Sequence, residues 1–354
     1  MNNHIVFTQA ERLLKQNSIP YETLDLGNGY LALLVRYGGR LLGPFRGESG
    51  ESILWVNGAM GDDEAFAAFV AGRQVHLGGE RFWINPELRF FCESPEKFNS
   101  TYTVQDDLDP GHYRLSRREG TVCLSLEGIL KALDTGEEKR FAAERRYFAA
   151  PNPLSWYRLT RALPVEYCGY TQEIDLTDLN PEIPIPLEPW TVTQVNPAGR
   201  YITPYFGDFE FVDYFTPVGG MQKVMPGYAE CRVTGDRNYK VAYRAASTCG
   251  RTAFLRELEN GQWHLMIRNY YSDPSVPYTA GPWGEPGNRG CSLFLYNDDG
   301  SNGGFGELEN SGITVGAGTG RSKSTSVSST WFFFGDQGSV AKIMRGLLGI
   351  DYRF

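Results

Sequence analysis

The chain of 354 residues has little histidine and little cysteine, and it has no basic clusters. Its four histidines are His4, His76, His112 and His264. Any chemistry that uses imidazole therefore has few candidates. Six cysteines stand singly (Cys92, Cys123, Cys168, Cys231, Cys249, Cys291), with no C-x-x-C pair and no nearby histidine to suit zinc. They read as reduced packing residues, and no disulfide framework or metal site is expected. No run of Lys or Arg is longer than a pair such as Arg145-Arg146, and 34 Lys+Arg against 42 Asp+Glu leave a net charge of −8. That balance offers no footprint for a phosphate backbone or an anionic membrane. No segment approaches the roughly 18 consecutive apolar residues of a membrane span. Residues 1–16 are too polar for a signal-peptide core, so a cytoplasmic chain is expected. Dinucleotide, Walker, nucleophile-elbow, H-E-x-x-H and EF-hand motifs are all missing, which removes support for oxidoreductases, P-loop NTPases, α/β-hydrolases and zincins. No cofactor is expected.

What is present is β-rich sequence. Runs rich in Val, Ile, Tyr, Phe, Trp and Thr alternate with Gly, Pro, Asn and Asp. They cover 29–36, 121–126, 155–163, 166–176, 238–244, 262–270, 291–296 and 328–334. In the 263–268 run, Trp263, Leu265 and Ile267 fall on one face, and His264, Met266 and Arg268 on another that resembles a lined groove. Three helices are expected. The first follows a capping box of Thr8 and Glu11, the second spans 62–70, and the third spans 339–348 and stops at Gly349. The Pro-rich segment 180–189 has strand-like sequence on both sides and reads as a crossing loop, so 1–354 is taken as one domain. Residues 297–304 read as a tight turn, and 316–329 as a polar loop or edge strand.

Three clusters could carry chemistry. His76 precedes Gly78-Gly79-Glu80-Arg81-Phe82-Trp83, where two glycines permit a close backbone approach and an acid, a base and an indole follow. A plain β-turn with a Glu80/Arg81 ion pair and a core tryptophan explains the same residues. Glu307 and Glu309 would share one face of a strand. Two carboxylates at that spacing raise each other's pKa toward that of a useful base if the face is desolvated, whereas a solvated edge strand would give them no role. Aromatics from Tyr270 and Tyr271 to Tyr278 and Trp283 suit stacking on a sugar ring, and equally suit a β core. Asn297 and Asp298 could offer oxygen ligands but belong to a turn composition.

The opening helix, the 78–87 segment, Val276-Pro277-Tyr278, Tyr296-Asn297-Asp298 and Gly306-Glu307-Leu308-Glu309-Asn310-Ser311 occur in that order. Together they resemble an uncharacterised bacterial family related to the galactose mutarotase-like (aldose 1-epimerase) superfamily. The resemblance implies a mainly β supersandwich of large twisted antiparallel sheets that binds carbohydrate on a concave face. It also implies a late-strand glutamate as base, matched by Glu309 or Glu307, and a histidine as acid, for which His76 and His264 are the candidates. Glu80, Arg81, Trp83, Arg268, Tyr278, Asn297 and Asp298 are the expected sugar-binding residues. Aldose 1-epimerase activity is the simplest expectation. Lyase or glycosidase chemistry with Tyr278 or Tyr296 as proton donor, and sugar binding without catalysis, are the alternatives.

Overall fold

The computed structural model describes residues 4–156, 163–214 and 216–354. Among these residues, nineteen strands make two antiparallel sheets, of nine and ten strands. The centre of the nine-stranded sheet runs in the order Glu80–Asn85, Glu188–Val195, Gly306–Ser311, Cys291–Asn297 and Tyr239–Arg244. The centre of the ten-stranded sheet is Arg251–Glu257, Trp263–Tyr270, Lys323–Gly335, Glu166–Asp178 and Glu138–Ala149. The facing surfaces bury one apolar layer that includes Phe82, Leu124, Tyr170, Val241, Leu308 and Phe332. Alternation within strands assigns the rest, because each residue of this layer has neighbours in sequence that point away from it.

Most of the expected strands form within two residues of their anticipated ends. Three differences have physical causes. The 121–126 strand continues to Lys131, where pairing with Glu138–Ala149 sustains it through the polar residues Glu127 and Lys131. The expected polar loop at 316–329 gives way after Ser322 to a 13-residue strand, Lys323–Gly335. This strand is no edge: it pairs on both sides, and its serines bond backbone, as Ser324 Oγ does to the Ile313 carbonyl at 2.8 Å. Small hydroxylated residues fit a pleated surface as well as they fit a turn. The strand expected at 155–163 lies mostly outside the described residues, and Pro153–Trp156 is a short 3₁₀ turn.

The helices Phe7–Gln16, Asp63–Ala71 and Gln337–Leu348 appear near the expected places. Asp62 and Asp336 cap the latter two, and Gly349 ends the last with φ 71°. The Thr8/Glu11 capping box does not form. The helix begins two residues earlier, with Val6 in the capping position, and its first amides bond the Glu48 and Gly50 carbonyls instead. Residues 179–187 carry the chain from the ten-stranded sheet to the nine-stranded one, as a crossing loop should.

The groove face expected on Trp263–Tyr270 is instead turned toward the other sheet. Met266 belongs to the layer between the sheets, while Leu265 and Ile267 pack under Val340, Ile343 and Met344 of the last helix.

Candidate functional site

The outer face of the nine-stranded sheet carries a cavity of ≈ 420 Å³, within the range of roughly 300–1,000 Å³ usual for small-molecule sites. Its position follows from strand alternation. Glu80, Phe82 and Ile84 point between the sheets, so Arg81 and Trp83 point out. Cross-strand partners share a face, which aligns Arg81 with Val192 and Glu309, Trp83 with Trp190, and Glu307 with Tyr296 and Gln194. Lys240, opposite Tyr296, completes the row. Two short helices not expected from the sequence, Glu87–Phe90 and Phe98–Thr101, bring Glu87 and Phe98 over this face.

The charged groups of the cavity are interlocked. Glu307 Oε1 accepts from Arg81 Nη2 at 2.8 Å and from Gln194 Nε2 at 3.0 Å. Glu309 Oε2 accepts from Trp190 Nε1 at 2.9 Å and stands 3.3 Å from Lys240 Nζ, which is also 3.3 Å from Glu87 Oε2. The second oxygen of Glu309 is buried with no hydrogen-bond partner among the described residues. Burial, with Glu307 and Glu87 nearby, pushes the Glu309 carboxyl up to about 7 against the opposing pull of Lys240. Burial likewise raises Glu307, opposed by Arg81 and Lys240. Burial alone would lower Lys240, but the surrounding carboxylates raise it, so the ammonium stays charged.

His76 lines the same cavity, with its Nδ1 3.2 Å from Arg81 Nη1. A guanidinium can only donate, so Nδ1 accepts and Nε2 carries the ring proton. Burial, Arg81 and Arg40 hold this imidazole well below its ordinary pKa. It is therefore a neutral hydrogen-bond donor. The double glycine ahead of Arg81 serves the chain's own packing: a Cβ on Gly78 would lie 2.4 Å from the Trp55 carbonyl oxygen, and one on Gly79 would lie 2.0 Å from that of Leu41. This close approach fixes where His76 and Arg81 enter the site.

The indoles of Trp83 and Trp190 line the cavity. The Arg81 guanidinium lies 3.8 Å from the Trp83 ring centroid, and Lys240 Nζ lies 4.6 Å from that of Trp190. Phe98 and Trp283 meet edge to face, with centroids 4.0 Å apart, at the rim.

Of the expected site residues, Glu307, Glu309, His76, Arg81 and Trp83 meet here. Six others do not. Glu80 is fully buried between the sheets, ion-paired with Arg268 and accepting hydrogen bonds from Tyr170 at 2.7 Å and Thr193 at 3.2 Å. Neither Glu80 nor Arg268 can reach a ligand in the cavity, and the Glu80/Arg81 ion pair does not form, because adjacent strand residues point to opposite faces. His264 is sandwiched between the Phe332 and Phe334 rings and belongs to the other sheet, so it is no partner for Glu309. Tyr278 is buried, and its hydroxyl accepts the Asp273 amide at 3.1 Å. Asn297 accepts from the Thr234 and Gly235 amides, and Asp298 from the amides of Gly300, Asn302 and Gly304. Both are structural, although Asp298 also accepts from the hydroxyl of the cavity residue Tyr296 at 3.3 Å.

Sequence reasoning passed over Lys240, Glu87 and Trp190. A signal existed for Lys240: within Tyr239–Arg244 the aromatic and apolar residues Tyr239, Val241 and Tyr243 alternate with it, which puts a lysine at the middle of a core strand. Glu87 depends on a four-residue helix that carries no periodicity of its own.

The molecule is thus a two-sheet antiparallel β protein with an acidic, aromatic-lined cavity on one outer face. Neither a family model nor a curated protein matches the chain. Solved structures similar to it include the galactose mutarotase related enzyme from Lactobacillus acidophilus, with 7% identity over 90% of this chain and 99% of that one and a TM-score of 0.49. Another is galactose 1-epimerase from Lactobacillus acidophilus NCFM, with 10% identity over 90% and 95% and a TM-score of 0.47. A 4-alpha-glucanotransferase from Thermococcus litoralis matches 93% of this chain and 41% of its own length, with 11% identity and a TM-score of 0.33.

Proposed function

We propose that the chain is a carbohydrate-active enzyme, most simply an aldose 1-epimerase, that takes an uncharged sugar into this cavity. The observation that carries the reading is the buried Glu309 carboxyl, poised near neutrality with one oxygen uncommitted beside an aromatic-walled space. A general base works best when its pKa lies near the operating pH. In the proposed reaction Glu309 removes the proton of the anomeric hydroxyl. As the C1 carbonyl forms, the electron pair of the C1–ring-oxygen bond passes to the ring oxygen, and the neutral Nε2–H of His76 hydrogen-bonds the resulting oxyanion until the ring recloses. Rotation about C1–C2 and reclosure, with the proton returned, give the other anomer.

The charge count favours a neutral sugar. Glu87, Glu307 and Glu309 outnumber Arg81 and Lys240, and each of these cations already has a carboxylate partner. A phosphorylated sugar would meet three carboxylates with no cation to spare.

The test is anomer exchange followed by NMR with a panel of free and phosphorylated aldoses, comparing the native protein with Glu309→Gln. Acceleration with free sugars that the variant loses by about 10²-fold or more supports the reading. No acceleration by folded protein with any aldose sinks mutarotation. The open rim of Phe98 and Trp283 favours a second reading, glycosidase or lyase action on a longer saccharide, and after that outcome oligosaccharide cleavage is the assay to run.

A further inference from the structure

On the ten-stranded sheet a second cavity of ≈ 560 Å³ opens where the hairpin of Arg251–Glu257 and Trp263–Tyr270 meets the N-terminal segment. Its walls include His4, Glu51, Asn196, Arg256, Glu259 and His264. Arg256 and His264 are cross-strand partners, so their side chains leave the sheet side by side. His264 is only 4% exposed. Its ring lies 5.0 Å from the Phe334 ring and is tilted only 13° from it. Its Nε2 is buried with no hydrogen-bond partner among the described residues, although burying an unsatisfied polar nitrogen is costly. The Arg256 guanidinium forms no ion pair among the described residues, and its buried Nε is also unpartnered. Three other polar groups are committed, His4 to Glu51 at 2.6 Å, Asn196 to the Ile53 carbonyl at 3.0 Å, and Asn260 to Gln262 at 3.2 Å, while the Glu259 carboxylate acts on Arg256 through its charge alone.

We propose that this cavity is a second ligand site, which takes a small monocarboxylate between the Arg256 guanidinium and the His264 ring N–H. A guanidinium matches a carboxylate with two parallel N–H donors, and the neighbouring imidazole supplies a third. Burial and Arg256 hold His264 neutral, with its pKa near 3, so it donates one N–H without adding charge. The acidic walls set the ligand's charge. Glu51, paired with His4, and Glu259 both act on Arg256 and oppose a dianion such as phosphate more strongly than a monocarboxylate. This site is separate from the Glu307/Glu309 cavity and does not depend on what happens there.

The experiment is NMR of histidine-labelled protein, titrated with sodium acetate at constant ionic strength, with inorganic phosphate as the comparison anion. His4→Gln separates the signals of His4 from those of His264. A saturable shift of the His264 ring signals with acetate is expected, weakened about tenfold or more in Arg256→Gln and partly retained in Arg256→Lys. Arg256 is only half-buried, so both variants are expected to fold, and the native spectrum of the remaining histidines checks this. An absent shift, or one unchanged by Arg256→Gln, overturns the site. Saturation by phosphate but not by acetate overturns the carboxylate assignment.

Discussion

Lys240 holds the buried Glu309 in an ion pair of 3.3 Å, and the same ammonium is equally far from Glu87. One cation thus balances two carboxylates, and it sets how readily Glu309 gives up its proton. Replacing it with methionine removes the main influence that lowers the Glu309 pKa. The base form is then reached only at higher pH. In Lys240→Met the rising limb of the rate against pH should move to the alkaline side of about 7, with activity at neutral pH reduced. A pH–rate profile of anomer exchange checks this, and an unmoved limb would assign the titration to another group.

Stability should report the same carboxyl. Its folded-state pKa, about 7, lies above the ordinary 4.5, so the folded protein binds the proton more tightly than the unfolded chain does. The stabilisation is fully present below pH 4.5 and is lost as pH rises through about 7. Its size is of the order of 3 kcal/mol, from about 1.4 kcal/mol per pKa unit. Urea denaturation at pH 5 and pH 8 should therefore show a loss of stability in the native protein that is smaller in Glu309→Gln. The raised Glu307 works in the same direction and leaves a remainder in the variant.

A third expectation separates fold from site. Glu80 and Arg268 are both fully buried and bind each other across the two sheets. Glu80→Ala leaves a guanidinium without its counter-charge and should cost about 3–5 kcal/mol. The activity of the protein that still folds, per molecule, should change little, because neither residue reaches the cavity. Chemical denaturation together with KM and kcat tests this. A large rise in KM at unchanged stability would return Glu80 to the ligand.

The contrast between Glu80 and Arg81 shows what was legible in the sequence. Strand positions, the crossing loop and the shared face of Glu307 and Glu309 follow from the two-residue period, which is local. Which face of a strand meets the partner sheet is a long-range property. In a strand buried on both sides, such as Glu80–Asn85, polar and aromatic residues occupy both faces and the pattern is silent. Glu80 looked like a ligand from its place beside Gly78-Gly79, and Arg268 from its place on a groove-like strand face, yet here they satisfy each other. His264 looked like an acid for want of other histidines, and its separation from Glu309 follows from the two residues lying in different sheets. Lys240 and Trp190 were missed for another reason: alternation puts Lys240 opposite Tyr239, Val241 and Tyr243 within its strand, but which groups it and Trp190 meet depends on the neighbouring strands.

The rim offers a test of substrate contact. Trp283 stands half-exposed against Phe98 at the mouth of the cavity, and its deletion leaves the inter-sheet core untouched. Trp283→Ala should weaken sugar binding by about 1 kcal/mol or more, roughly fivefold or greater in KM, with a smaller effect on kcat. Should kcat fall with KM unchanged, Trp283 would be acting on the geometry of the charged groups and would not be stacking on the sugar.

His76 gives the last prediction. Arg81 donates to its Nδ1, and burial, Arg81 and Arg40 keep the ring neutral. A neutral imidazole is a hydrogen-bond donor through Nε2–H but holds no spare proton to give. The native rate profile should therefore show no limb from this histidine between about pH 5 and 8, the window in which an unperturbed histidine titrates. Arg81→Met removes one of the positive charges that depress its pKa, so the His76 pKa must rise toward its ordinary 6.5. If the ring acts on the sugar oxygen, a new limb should appear on the acidic side of neutrality in that variant and vanish in the double variant with His76→Gln. The same substitution frees Glu307 from its ion pair and raises its pKa further, so the double variant is needed to assign the limb. A limb that persists without His76 belongs to Glu307, and the imidazole would then be a structural partner of Arg81.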